Sequence, residues 1–126
     1  MFLVDSDVLI WYMRGNPKAK KIIDELWTFR ISSINYMELV QGIRDKSELK
    51  ALRKFIAERE IETVHLSVDI SQRALYYMEQ YALSHRLTMA DALIAATASY
   101  TTDILLTGNH KHYRPIKEIK VQRFHS

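Results

Sequence analysis

Short apolar runs that alternate with helical segments are the feature that most constrains the fold of this chain. Five such runs are present, MFLV, FRISSI, TVHLS, DILLTG and IKVQRF, and segments with helical periodicity separate them. Strands that alternate with helices along a chain form parallel sheets with helices packed on the faces. The sequence therefore predicts a single α/β domain over residues 1–126, with a central parallel β-sheet flanked by helices on both faces.

The helical segments carry signals for their ends and for their depth in the fold. Ser6 or Asp7 is expected to cap the first helix, which Gly15 ends, and Pro17 suits the first turn of the second. Further helices are predicted over NYMELVQGIR, SELKALRKFIAERE, DISQRALYYMEQYALSHR and TMADALIAATASY. The last of these is apolar on most sides, so it is predicted to be central, whereas IKVQRF alternates like an edge strand.

Composition narrows the cellular setting. The chain has no cysteine, so it forms no disulfide and uses no thiolate chemistry, which suits a reducing compartment. No basic leader precedes the first apolar run, which Asp5 interrupts, and no apolar run approaches the roughly 18 residues that a bilayer span requires. A cytoplasmic protein without a membrane segment is expected.

The positive charge is concentrated in the last part of the sequence. Residues 110–126 contain five Lys or Arg and one Glu, a charge of +4, whereas the remaining 13 basic and 14 acidic residues give −1. A basic edge on a neutral body suggests a polyanionic partner such as RNA or DNA. The alternative is a solvated edge strand that resists aggregation, and charge alone favours that alternative.

Three acidic residues follow strands or begin helices in hydrophobic surroundings. Asp5 ends the first predicted strand, Glu38 lies early in the helix after the second, and Asp91 lies early in the apolar central helix. Helix starts that follow parallel strands converge on one rim of the sheet, where ligands collect. The topology therefore predicts that these three carboxylates lie near one another.

Each of these acids also has a purely structural explanation. Asn35 and Glu38 have the spacing of a capping box, as do Thr88 and Asp91. Asp7 can serve the dipole of the first helix. A single acid of this kind is more often a cap than a catalyst, but three of them together with a strand end favour a functional site.

Crowded carboxylates raise one another's pKa unless a cation neutralises them. A group of this kind suits Mg²⁺ or Mn²⁺, which take oxygen ligands and keep several waters. Such an ion acidifies water and neutralises charge on a phosphate, so a phosphodiester is the natural substrate class.

Competing motifs are absent. The sequence contains no GxxxxGK[ST], GxGxxG, HExxH or GxSxG pattern. VDSDVL is similar to the opening motif of haloacid-dehalogenase phosphatases, but Leu9 stands where Thr or Val is expected. A metal-dependent nuclease and a non-catalytic α/β module remain as interpretations.

Four segments together resemble a known family. LVDSDVLIWYM, ISSINYMELVQGI, LTMADALIAATA and LLTGNHKHY are similar, in order and spacing, to the motifs of PIN-domain ribonucleases, specifically VapC-type toxins of toxin–antitoxin pairs. The resemblance extends over essentially the whole chain. It implies a single PIN-like domain over residues 1–126.

The resemblance assigns roles to particular residues. Asp5, Glu38 and Asp91 match the family's three metal-binding and catalytic acids. Asn109 matches the position, within a T-x-[DN] pattern, where many relatives carry a fourth acid, and it is expected to order a water in the site or to serve as a turn residue. His112 stands where relatives with this Asn carry a later Asp, and it is expected in an exposed loop, as is His110.

The implied function is that of a Mg²⁺- or Mn²⁺-dependent endoribonuclease. The resemblance implies cleavage of RNA in single-stranded or loop regions such as those of tRNA, a cognate antitoxin that occludes the site, and a homodimer. One alternative is a catalytically weak or inactive PIN-like module that binds RNA or a protein partner, and a second is a DNA-directed nuclease.

Overall fold

A five-stranded parallel β-sheet forms the centre of the computed structural model, which describes residues 1–126. The strands lie in the order β3-β2-β1-β4-β5, and every adjacent pair is parallel. Their bounds are β1 Phe2–Val4, β2 Arg30–Ser32, β3 Glu62–Val64, β4 Ile104–Thr107 and β5 Lys120–Arg123. The predicted α/β class, the parallel sheet and the edge position of IKVQRF are confirmed.

Seven helices connect and cover the strands. They are α1 Ser6–Met13, α2 Pro17–Leu26, α3 Ser33–Gln41, α4 Lys46–Glu58, α5 Val68–His85, α6 Met89–Thr101 and α7 His110–Tyr113. The short helix α7 was not predicted, because four residues are too few to show helical periodicity. None of the helices is long and apolar enough to cross a bilayer.

Two of the strands end earlier than their apolar runs suggest. Ser32 is both the last residue of β2 and the N-cap of α3, so this strand cannot continue into Ser33. Because Ser32 pairs with Val64, β3 loses its partner at the same point. The expected strand over TVHLS therefore stops at Val64, and Leu66 is left exposed.

The sheet separates two hydrophobic cores, because successive side chains of a strand point to opposite faces. Leu3 and Leu105 belong to the core under α5, α6 and α7, whereas Val4 and Leu106 belong to the core under α1 to α4. Both faces are thus covered, as predicted. Helix α6 is central, and its buried alanines, which include Ala92, Ala95 and Ala96, allow it to pack closely.

The parallel arrangement brings the carboxyl ends of β1 and β4 side by side. Asp5 follows β1 directly, and its backbone N–H donates to Leu106 O at 2.9 Å. Thr107 ends β4, and it pairs in register with Arg123 at the end of β5. This rim is the place at which the sequence predicts a site.

Candidate active site

Asp5 is the most deeply buried carboxylate at the rim. Only 5% of the residue is exposed, yet both of its oxygens accept hydrogen bonds. Oδ2 accepts from Thr107 Oγ1 at 2.8 Å and from the Tyr113 hydroxyl at 3.0 Å, and Oδ1 accepts from Asn35 Nδ2 at 3.2 Å. Oδ1 also accepts from Ser6 N at 2.8 Å. These four donors fix the orientation of the carboxylate.

Asp5 is also the residue that precedes helix α1, which corrects one expectation. The N-cap position belongs to Asp5, not to Ser6 or Asp7. Its extended backbone ends β1, and its side chain accepts from the first helical N–H. Because the strand runs into the helix with no intervening loop, the same residue serves both elements.

Burial makes the ionised form of Asp5 costly. Burial, followed by the nearby charge of Asp7, raises the pKa of Asp5 to about 6, and the hydrogen bonds only partly offset this rise. Burial also raises the pKa of Asp7. A cation at this position would favour the ionised carboxylates and remove the cost.

Tyr113 joins Asp5 to Asp91. Its ring is 1% exposed, and its hydroxyl lies 3.0 Å from Asp5 Oδ2 and 3.2 Å from Asp91 Oδ1. Burial and the two carboxylates raise the pKa of Tyr113 well above its ordinary value, so the phenol keeps its proton. One hydroxyl proton is thus shared between two carboxyl groups.

Asp91 sits in the first turn of α6, and only its backbone takes part in the helix cap. Thr88 is the N-cap, and its hydroxyl accepts from Asp91 N at 3.2 Å. The carboxylate points to α7, where His112 Nδ1 lies 3.2 Å from Oδ2. The side chain of Asp91 therefore faces the rim.

Glu38 reaches the same site from α3, and its predicted capping box is wrong. The box consists of Ser32 and Asn35, since α3 begins at Ser33, and it leaves Glu38 free. Glu38 Oε1 accepts from Ser6 Oγ at 2.6 Å, and Ser6 Oγ accepts from Asn35 Nδ2 at 3.0 Å. Through these two residues Glu38 is coupled to Asp5.

Asp7 positions the loop that follows β4, and it has more than the expected helix-dipole role. Its Oδ2 accepts from Gly108 N at 2.9 Å, while Oδ1 accepts from Val8 N at 2.9 Å. A Cβ atom at Gly108 would lie 2.5 Å from Asp7 Oδ2, so a side chain at that position would displace Asp7. Glycine at position 108 therefore permits the close approach of the Asp7 carboxylate.

Asn109 joins the hydrogen-bond network of the acids through its backbone and not through its side chain. It is exposed, its N–H donates to Thr107 Oγ1 at 2.9 Å, and its side chain does not cap α7. An exposed loop was expected for His110 and His112, but both residues lie in helix α7. The helix brings His112 to Asp91 and turns His110 toward β5.

The metal-binding capacity of the site is set by these contacts. No group of three or more His, Asp or Glu side chains lies close enough together to hold one ion, because the Tyr113 hydroxyl separates Asp5 from Asp91 and Ser6 separates Asp5 from Glu38. No Lys or Arg forms an ion pair with Asp5, Asp7 or Glu38 either. A hard ion that keeps most of its waters and needs one or two carboxylates fits this arrangement better than an ion that needs four protein ligands.

Three further residues of the site were not found from the sequence. Thr107 and Tyr113 were seen only as parts of a strand and of a loop motif, and Asn35 only as a cap. Asn35 is completely buried, so its amide has to satisfy its hydrogen bonds inside the site. The spacing of Ser32 and Asn35 was the one local signal for its position.

The five-stranded parallel sheet covered by seven helices matches the fold of PIN-domain structures. The family model described as PIN domain matches residues 2–117, and the chain belongs to this family. The relatives include Ribonuclease VapC19 of Mycobacterium tuberculosis, 32% identical over 118 residues, which cover 90% of this chain and 92% of that protein. Ribonuclease VapC10 of the same species is 34% identical over 127 residues, covering 95% and 91%.

Solved structures have the same fold. DNA-bound VapBC from Salmonella typhimurium matches with a TM-score of 0.83 and 20% identity, over 97% of this chain and 96% of that one. A toxin–antitoxin complex from Klebsiella pneumoniae matches with a TM-score of 0.73 and 26% identity, over 94% and 95%.

Proposed function

We propose that this protein is a metal-dependent endoribonuclease, the toxin of a toxin–antitoxin pair, acting in the cytoplasm. The observation that carries the proposal is the placement of Asp5 and Asp91 on one buried hydroxyl at the carboxyl end of the sheet, without a paired Lys or Arg. Membership of the PIN-domain family and relatives named ribonucleases support the same activity.

The cofactor we propose is Mg²⁺ or Mn²⁺. Asp5 and Asp91 would hold the ion, and Glu38 would contact its waters, since it is reached only through Ser6. The chemistry of the donors supports this choice, because all are carboxylate oxygens and the raised pKa of Asp5 marks a negative charge that lacks a partner. When bound, the ion neutralises charge on a phosphate and makes water a stronger acid.

The chain's own residues prepare the site for a phosphodiester. Asn35, Thr107 and Tyr113 hold the Asp5 carboxylate in one orientation, so it needs no reorganisation when substrate arrives. Glu38, half-buried, accepts from Ser6 through Oε1, and its second oxygen would accept a proton from the attacking water. Asn109, exposed beside Thr107, would orient a water through its amide oxygen.

The proposed substrate is RNA in single-stranded or loop regions, such as those of tRNA. Unstacked bases in such regions expose their edges to a protein, whereas paired ones do not. The names of the two Mycobacterium relatives support RNA over DNA.

We propose that a cognate antitoxin binds the groove between α1, α3 and α4. The groove encloses about 730 Å³, Glu38 lies at its border, and its walls are mostly apolar, with Leu9, Leu39 and Phe55 among them. A peptide with apolar side chains and one basic side chain directed at Glu38 would fill it and occlude the site. The matching toxin–antitoxin complexes support such a partner.

A bulky side chain in the groove tests this assignment. Ala51 lines the groove and is exposed, whereas Ala57, on the same helix, does not line it. Ala51→Trp should prevent copurification with the antitoxin and leave RNA cleavage intact, and Ala57→Trp should bind antitoxin normally. Normal antitoxin binding by Ala51→Trp would rule out this groove.

The homodimer is a further part of the proposal. Exposed apolar side chains on and beside α5 and α6, among them Leu75, Leu83 and Met89, support a surface of association. Light scattering on the purified protein should give twice the mass of the chain, and a monomer at micromolar concentration would contradict it.

Cleavage of a total RNA pool by antitoxin-free protein tests the function itself. The pool is incubated with Mg²⁺, Mn²⁺ or EDTA, and the new ends are mapped, with single-stranded DNA in parallel lanes. We expect discrete RNA cuts that require metal and are lost in Asp91→Asn. Asp69→Asn is the matched control, because Asp69 also lies in the first turn of a helix but pairs with Arg73, which donates to Ser99 near the end of α6 opposite to Asp91.

A non-catalytic module that binds RNA or protein is the second candidate. Asn109 in the place of a fourth acid, and the lack of a group of three metal-binding side chains, favour it. Intact RNA in every lane, from protein shown to be folded, would reject the nuclease and favour this module, and cuts confined to DNA would favour a DNA-directed nuclease.

A further inference from the structure

A second cavity, of about 290 Å³, lies between α7 and β5. Four of its eight lining residues are basic in type, namely His110, Arg114, Lys117 and Arg123, and none is acidic. The rest of the lining is apolar apart from the hydroxyl of Tyr113. The cavity is thus shaped and charged for an anion.

The cations of this cavity are not neutralised within the protein. Arg114, Lys117 and Arg123 form no ion pair, whereas Arg30, Arg59 and Arg73 each pair with an aspartate. Unpaired positive charges held close together repel one another, and a bound anion removes that cost.

His110 lines the cavity and carries an unsatisfied polar atom. Its Nδ1 atom is buried and has no hydrogen-bond partner, which is uncommon for a buried polar atom. Burial, followed by the positive charges of Arg123 and Arg114, lowers the pKa of His110. His110 is therefore neutral at pH 7, and the positive charge of the cavity comes from Arg114, Lys117 and Arg123.

The cavity adjoins the acidic site. Tyr113 lines it with its ring and donates with its hydroxyl to Asp5. Arg123 is paired in register with Thr107, the residue that donates to Asp5 Oδ2. A ligand that enters the cavity therefore lies beside the place where a phosphodiester would be cut.

We propose that this cavity binds a phosphate of the RNA backbone that neighbours the phosphate being cleaved. The proposal rests on the proposed function, because it is the adjacency to the acids that favours nucleic acid over an acidic peptide. One RNA chain would then bind both the acidic site and the basic cavity. Its scissile phosphate would lie at the metal held by the carboxylates, and the next phosphate would lie at the basic side chains.

Binding of a fluorescently labelled single-stranded RNA in EDTA tests the proposal without metal and without cleavage. The variants are Arg114→Gln, Arg123→Gln and the double substitution, all at exposed positions, with folding checked by circular dichroism. Lys120→Gln is the matched control, because Lys120 lies on the same strand but on the opposite face and at the other end.

We expect the double variant to bind the RNA roughly ten-fold more weakly at low salt, with a salt-dependence slope smaller by about 0.7 for one lost phosphate contact. Arg123→Lys should keep the slope, and Lys120→Gln should bind as the wild type does. Equal binding by the double variant and Lys120→Gln would overturn the proposal.

Further measurements distinguish this proposal from other ligands of the cavity and from the proposed nuclease activity. Displacement of the RNA by low-millimolar inorganic phosphate would assign the cavity to a free anion. A double variant that binds RNA normally but no longer binds antitoxin would assign the cavity to an acidic peptide. Either result overturns the proposal. A wild-type protein that cuts RNA while the double variant binds it normally would refute only the phosphate site. Arg-dependent binding without any cleavage would refute only the nuclease.

Discussion

The hydroxyl of Tyr113 donates to the buried carboxylate of Asp5 over 3.0 Å, although 108 positions separate the two residues. The same hydroxyl lies 3.2 Å from Asp91, so a single proton serves two carboxyl groups. The hydroxyl is neutral and does not cancel the charge of either carboxylate, whereas a bound proton or metal ion would. We therefore expect the site to respond both to pH and to cations.

Tyr113→Phe should leave the fold intact and weaken the response to metal. The ring is buried and the same size in both residues, so the loss of stability should stay near 1 kcal/mol, the value of one hydrogen bond. Asp5 and Asp91 would lose their common partner, and cleavage should fall roughly ten-fold, with more Mg²⁺ needed for half-maximal rate. A Mg²⁺ titration of the cleavage rate measures this. An unchanged titration curve would mean that Tyr113 only fills space.

Asp5→Asn should abolish cleavage and stabilise the protein at pH 7. A folded-state pKa of about 6, against an ordinary value near 4, means that the folded protein binds the proton more tightly than the unfolded chain does. The contribution of Asp5 to the free energy of unfolding is therefore largest below about pH 4 and falls between about pH 4 and pH 6. Above that range it is lower by on the order of 3 kcal/mol than at low pH. The stabilisation by Asn should accordingly shrink as pH falls.

Denaturant unfolding of wild type and Asp5→Asn from pH 4 to pH 8 checks this sign. The difference between the two free energies of unfolding cancels the contributions of titrating groups distant from Asp5, such as Asp24, whose pKa is lowered by Arg59. Added Mg²⁺ should raise the melting temperature of the wild type more at pH 7 than at pH 5. A difference that does not change with pH would contradict the buried charge.

Gly108→Ala should reduce both stability and cleavage. The added Cβ would meet Asp7 Oδ2 at 2.5 Å, so the hydrogen bond from Gly108 N must break, at a cost of about 1–3 kcal/mol. The effect depends on Asp7, so in an Asp7→Ala background the same substitution should cost little. A double-mutant cycle on the free energy of unfolding measures the coupling, and simple additivity would show that Asp7 is not the obstacle.

Asp103 offers a contrast between a structural acid and the acids of the site. It is 5% exposed at the opposite, amino end of β4, and both of its oxygens accept from Arg30 at 2.8 and 3.0 Å. Asp103→Ala should destabilise the protein by roughly 1–3 kcal/mol, because the partly buried Arg30 loses two hydrogen bonds and keeps only its contact with Glu62. The cleavage rate should stay unchanged under folded conditions. Loss of activity in folded Asp103→Ala would contradict a purely structural role for this acid.

Much of the fold was predictable because its signals are local. Apolar runs and helical periodicity gave the order of strands and helices, and the convergence of strand ends in a parallel sheet placed Asp5, Glu38 and Asp91 on one rim. The errors were also local. The capping box belongs to Ser32 and Asn35, because Ser32 ends its strand directly at a helix, and α7 is too short to leave a periodic pattern.

The sequence by itself determined the α/β class, the edge strand and the acids that follow strands and begin helices, since those depend on neighbouring residues and on the geometry of parallel sheets. Only the tertiary structure decided which atoms meet: the Tyr113 hydroxyl on two carboxylates, Asp7 against Gly108, and Arg123 beside Thr107. Two of these contacts, from Tyr113 to Asp5 and from Gly108 to Asp7, join residues more than a hundred positions apart. They depend on strand register and side-chain direction, which no local pattern encodes.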